Sequence, residues 1–157
     1  MAGESKRDRM IIDHDIRSGA YGPTDVDKKG DDFLKGERSA VIIENENKMI
    51  VIQFQAFPRC RINDISIGKN TYIYAFAFDR CSITKFTIQF DAPRPTETIF
   101  WQCYIETLII QQNKKDVKGG RELVKRLVSK KDKKTRIDNI VLVYHEGPTH
   151  IRRALRM

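Results

Sequence analysis

The segment AFPRCRINDISI, residues 56 to 67, is followed at an offset of 21 by AFDRCSITKFTI, residues 77 to 88, with Ala, Phe, Arg, Cys and two Ile in matching places. A repeat at so short an interval leaves room for about two short strands per copy. In each copy the residues before and after the Arg-Cys pair alternate apolar and polar, so the pair reads as one strand, corner, strand unit used twice. The competing reading is chemical: two thiols, each beside an arginine that favours the thiolate, as a redox pair or part of a metal site. A metal needs a third and fourth ligand, and His14, His145 and His150 lie far off without ligand spacing. The structural reading is the stronger one, with Cys60 and Cys81 at the same station of two bends. If those bends adjoin, Cys60 and Cys81 can pair as a disulfide; in a reducing compartment they and Cys103 stay as part-buried thiols.

The flanking sequence extends the β pattern. SAVIIE, the polar turn NENK and MIVIQFQAF read as a hairpin in which Ile50, Ile52, Phe54 and Ala56 share a face. TYIYAFAF places Tyr72, Tyr74, Phe76 and Phe78 on one side and Ile73, Ala75 and Ala77 on the other. CSITKFTIQF alternates likewise, DAPRPTET breaks the sheet with two prolines, and IFWQCYIETLIIQQ resumes it with Trp101, Cys103, Ile105, Thr107 and Ile109 on one face. RELVKRLVSKK, after Gly119-Gly120, is the one convincing helix: Leu123 with Leu127 and Val124 with Val128 form an apolar stripe. RIDNIVLVY reads as the last strand. The expectation is a mainly β domain over residues 38 to 145, an antiparallel sandwich or barrel of about six to eight strands with one late basic helix near 119 to 131. Residues 146 to 157 form a tail.

Residues 1 to 37 read as an extended arm, rich in charges of both signs and interrupted by Gly19, Gly22, Pro23, Gly30 and Gly36. Its apolar clusters, Ile11-Ile12 after Met10 and Phe33-Leu34, would anchor it to a neighbouring subunit. The start lacks the long apolar stretch of a secretory signal, and no run is long enough to cross a bilayer, which points to a cytoplasm or a particle assembled in one.

The formal net charge of +8 is unevenly held: residues 113 to 136 contain 11 basic and 3 acidic groups, and the remainder of the chain is in sum neutral. Such a local excess suits a polyanion or an acidic neighbour better than a general electrostatic field. Lys114, Lys115, Arg121, Lys125, Arg126, Lys130, Lys131, Lys133 and Lys134 are the candidate contacts, with phosphates of DNA or RNA as one target. Catalytic signals are weak. Asp13, His14 and Asp15 are three polar residues in an arm, Cys103 and His145 lack a nucleophile turn, and there is no Walker A loop, GxGxxG or HExxH. The chain reads as a non-enzyme without metal or cofactor.

In outline, with an arm, a repeated strand-corner-strand unit and a late helix beside a sheet, the chain resembles the bacteriophage tail-tube and baseplate-hub family. The resemblance covers residues 38 to 145 and implies a virion structural subunit that joins its own copies and neighbouring subunits edge to edge in rings, outside any membrane. A small nucleic-acid-binding β-barrel using residues 113 to 136 is the alternative.

Overall fold

In the computed structural model, residues 9–21, 40–68, 70–89, 98–112, 117–129, 131–146 and 151–156 are described. Alternating apolar residues do draw each short run into a strand, but the chain turns after every run and keeps circling in one sense. Strands β1 (Arg9–Ile12), β2 (Ala40–Ile43), β5 (Arg61–Ile67), β8 (Ser82–Gln89), β10 (Tyr104–Gln112), β11 (Arg136–Glu146) and β12 (Ile151–Arg156) lie side by side, in that order, in one large sheet. Between its members the chain passes through a second sheet of β3 (Ile50–Ile52) and β6 (Thr71–Ile73). It then crosses a third, of β4 (Phe57–Pro58), β7 (Phe78–Asp79) and β9 (Phe100–Trp101). Every pairing is parallel except that of β11 with β12.

This is a parallel β-solenoid, and it overturns the antiparallel sandwich or barrel. Arg61 pairs with Ser82 and Ser82 with Tyr104, so successive coils advance by 21 and 22 residues. The repeated Arg-Cys segment is therefore one coil laid on the next. Alternation reports only which side of a strand faces inward, not which strand lies beside it. Parallel neighbours need a long crossover, and here each crossover is itself made of strands. The expected hairpin is likewise absent: β2 and β3 belong to different sheets, and each pairs with the next coil.

Stacking of like on like fills the interior. In the large sheet Ile43, Ile67, Ile88, Ile110 and Leu142 form one column and Val41, Ile65, Phe86 and Leu108 a second, all at most 1% exposed. Ile62, Ile83 and Ile105 form a third, and two outward residues separate it from the second, which is why this stretch alternates imperfectly. The third sheet contributes an aromatic column. Tyr21 stacks on Phe57 at 5.4 Å, Phe57 on Phe78 at 4.9 Å with planes 5° apart, and Phe100 follows at 5.9 Å.

Corners are set by residues in the left-handed region: Gln55, Arg59, Phe76, Arg80 and Gln102 have φ between 50° and 55°. Left-handed geometry costs a non-glycine residue about 1–2 kcal/mol. The adjoining coil holds it in place, since Arg59 N donates to Asp79 O at 2.6 Å and Arg80 N to Trp101 O at 2.7 Å. These corners also reassign faces. The chain reverses direction at Phe76, so Phe78 joins Ile73 and Ala77 inside while Tyr74 points out, 42% exposed. Gln102 does the same for Trp101 and Cys103, which fall outside and inside respectively.

Residues 9–21, expected in an arm reaching for another subunit, instead make a coil of the chain's own solenoid. β1 pairs with β2, and Ile16, Gly19 and Tyr21 donate backbone hydrogen bonds to Val51, Gln55 and Ala56. At the other end, helix α1 (Val117–Ser129) takes the place of strands in the crossover from β10 to β11. Gly119 and Gly120 lie inside its first turns rather than before it. Leu123, Val124 and Leu127 join the same core cluster as the stacked isoleucines, so the helix closes the end of the solenoid. The expected tail contains β12, an antiparallel edge to the large sheet.

Candidate nucleic-acid interface

Leu123, Val124 and Leu127 face the core, with Val128 packed against it, which leaves the charged positions between them on the outer side of α1. Arg121 and Lys125 are exposed and Arg126 is half-buried. The chain then turns through residues 131–135, where Lys133 and Lys134 are exposed and Lys131 Nζ donates to Thr135 O at 2.9 Å. Lys114, Lys115 and Lys130 lie outside the described residues. Among the described residues the helix and the turn after it thus carry Arg121, Lys125, Lys133 and Lys134 exposed and Arg126 half-buried, with Glu122 exposed and Asp132 half-buried as the acids.

Asp132, the second acid of this end, also finishes the coil stack. The corner Gln102–Cys103 would present unpaired N–H groups to a missing coil, a costly state for buried backbone. Asp132 Oδ2 accepts from Gln102 N at 3.0 Å, and Thr135 Oγ1 from Cys103 N at 3.2 Å. Asp132 also accepts from Lys134 N and Thr135 N, each at 3.0 Å. Burial opposes its ionisation, but the bonds from the Thr135 hydroxyl and these N–H groups outweigh it and hold the carboxyl below its ordinary value. Beside the turn, Asp138 accepts from Tyr104 Oη at 2.6 Å and Arg136 Nε at 2.7 Å, and the guanidinium lies 5.2 Å from the Tyr104 ring centroid. The Tyr104 hydrogen bond and then that of Arg136 lower the Asp138 carboxyl, and the bond to Asp138 raises Tyr104. Arg136 is thereby committed to an intramolecular pair.

Of the aromatics that alternation puts on one face, Tyr72, Tyr74, Phe76 and Phe78, Phe78 is core and Tyr74 is outside. The exposed group also includes Phe54 and Trp101, which sequence reasoning assigned to strand faces. Phe54 lies 6.2 Å from Phe76 and Phe76 5.1 Å from Trp101, centroid to centroid.

The cysteines answer the question raised by the repeat. Cys60, Cys81 and Cys103 follow three stacked corners, and all three are buried free thiols, so the Cys60–Cys81 disulfide is not formed. Each thiol is occupied instead: Cys60 Sγ donates to Tyr21 O, Cys81 Sγ to Phe57 O at 2.9 Å, and Cys103 Sγ to Phe78 O at 3.1 Å. Burial pushes the Cys81 thiol well above its ordinary value, and the Cys81 side chain together with burial does the same to Cys103. A neutral, enclosed thiol is a poor nucleophile. Iodoacetamide should therefore leave Cys81 and Cys103 unmodified in the native protein and alkylate all three cysteines after denaturation. Rapid native alkylation of either would contradict their placement.

The other sequence candidates are dispersed. His14 Nδ1 and Asp13 Oδ1 are 3.3 Å apart and both exposed, while Asp15 accepts a hydrogen bond from Val51 N at 2.8 Å. Among the described residues no group of three or more His, Cys, Asp or Glu could hold a metal. Ile12 is buried within its own chain and Ile11 is 62% exposed, whereas Phe33 and Leu34 lie outside the described residues. An open depression of about 400 Å³ is lined by Glu44, Asn45, Glu46, Gly68, Asn70 and Gln89. Among the described residues no helix is long and apolar enough to cross a membrane. No family model matches the chain, and neither a curated protein nor a solved structure matches it.

Proposed function

We propose that the protein is a non-catalytic structural subunit that binds the phosphate backbone of nucleic acid through its capping helix and the turn that follows, as a component of a virus particle would bind a genome. The observation that supports this reading is the sorting of side chains on the cap: Leu123, Val124 and Leu127 inward, Arg121, Lys125, Lys133 and Lys134 exposed and Arg126 half-buried. A solvated helix face ordinarily mixes signs, and among the described residues of the helix and turn these five cations stand against two acids, Glu122 and Asp132, an excess beyond what solubility requires. Ring assembly of the tail-tube kind belonged to an antiparallel sandwich joined edge to edge, and the solenoid offers it no architectural support. What is retained is a structural subunit with a polyanion-binding end.

Five phosphate contacts imply a steep dependence on salt, about −0.7 to −0.9 in the logarithmic slope per contact. Titration of the protein with a labelled 20-mer between 50 and 300 mM salt should therefore give a slope of about −4. Absence of binding at 50 mM salt would overturn the proposal.

A further inference from the structure

We infer that the nucleic acid taken by this end of the molecule is single-stranded, with Phe54, Phe76 and Trp101 as the platform on which its unpaired bases stack. The inference rests on the reading of the basic cap as a phosphate-binding surface and narrows it to a class of ligand.

The first ground is the placement of the rings. Phe57, Phe78, Phe86 and Phe100 are at most 3% exposed, so the interior accommodates aromatic side chains readily. Phe54 and Trp101 are nonetheless 47% and 38% exposed. Single exposed apolar residues are ordinary, but a linked row that crosses successive coils is a surface. The row is continuous, with Phe76 in contact with both neighbours.

The second ground is ring orientation. Inside the solenoid Phe57 and Phe78 lie parallel, 5° apart, and Phe86 meets Phe78 and Phe100 edge to face, so the core rings are enclosed whatever their tilt. Outside, Phe54 and Phe76 meet at 63° and Phe76 and Trp101 at 58°. These outer pairs are not stacked face on face, and with Phe54 47% and Trp101 38% exposed they leave ring surface on which a planar base can lie. Every base has such a face, so this mode of binding tolerates sequence.

The third ground is position relative to the cations. Trp101 immediately precedes Gln102, whose N–H is bonded by Asp132, and Lys133 and Lys134 follow Asp132 in the same turn. The aromatic row therefore runs down the coils from the basic turn. A strand whose phosphates engage Lys133 and Lys134 has its next bases over Trp101 and Phe76. In a duplex those bases are paired and stacked on each other, and only a single strand can present them.

Trp101 is the one tryptophan of the chain, so its emission reports contact directly. Oligothymidylate of about 20 nucleotides, a length above the usual single-strand site size, would be compared with a duplex of the same length and with inorganic polyphosphate. The expected result is quenching of Trp101 by oligothymidylate but not by polyphosphate, and tighter binding of the single strand than of the duplex. Phe54→Ala and Trp101→Ala should each weaken oligothymidylate binding about tenfold and leave polyphosphate binding unchanged. Phe54→Ala touches an exposed side chain, and an unchanged thermal melt would show that its effect is not one of folding. Equal affinities for all three ligands, with unaltered emission and no effect of either variant, would overturn the stacking inference while leaving the basic-cap reading intact. Failure of both polyphosphate and oligothymidylate to bind would instead overturn that underlying reading. Emission that changes with protein concentration alone would assign the aromatic row to a second copy of the chain, against the inference.

Discussion

Phe78→Ala should cost about 3–5 kcal/mol, the range for deleting a fully buried aromatic. Phe78 is 0% exposed and sits at the junction of two aromatic arrays. It stacks on Phe57 along the third sheet and meets Phe86 of the large sheet at 5.2 Å, edge to face. Removing the ring leaves Phe57, Phe86 and Phe100 facing a cavity that rigid coils cannot close. A domain of this size is stable by about 5–15 kcal/mol, so the loss ranges from about a fifth of the total to all of it. Phe78→Leu, which fills most of the volume, should cost about 1.5 kcal/mol or less. Tyr74→Ala is the informative partner, since strict alternation puts Tyr74 and Phe78 on one face and the solenoid separates them by a corner. Its side chain is 42% exposed, and its loss should stay under about 1 kcal/mol. Denaturant midpoints of the three variants check this, and equal losses at positions 74 and 78 would speak against the corner at Phe76.

That corner also explains where sequence reasoning stopped. Strand existence was legible from isoleucine and phenylalanine at period two, and the helix from Leu123, Val124 and Leu127. Most seams between strands were not, because beside Gly19 and Asn70 the residues at positive φ are Gln55, Arg59, Phe76, Arg80 and Gln102, none of them an ordinary turn former. Turn propensity is a local signal, and these residues adopt positive φ only because the next coil supplies the hydrogen bonds that hold them. TYIYAFAF consequently looked like one continuous strand.

The 21-residue offset was visible, and it was read as two corners of one sheet. Its meaning as a coil depends on parallel pairing between residues 21 apart, such as Ile62 with Ile83, which no local pattern announces. Of the candidate site, the basic cap was legible as composition. Its outward display follows from the burial of the opposite helix face, and the role of Asp132 in ending the stack required knowing that Gln102 lay beneath it. Phe54 and Trp101 were hidden for the same reason as the corners, since each stands beside a reversal that strict alternation does not contain.

The sharpest expectation for function concerns the cap alone. Arg121, Lys125, Lys133 and Lys134 are exposed, so replacing all four with Gln removes charge without opening the core or the Asp132 bonds. Four fewer phosphate contacts should reduce the logarithmic salt slope by about 3 and the affinity at 0.1 M salt on the order of a hundredfold. Arg17, Lys48 and Lys85 are exposed cations elsewhere on the chain and serve as the control. The decisive measurement is nucleic-acid affinity against salt for the wild type, the cap variant and the control variant, all with matched thermal melts. A shallow slope and weak binding confined to the cap variant is the predicted result. Equal slopes in all three proteins would contradict the assignment of the capping helix and its turn as the phosphate-binding surface.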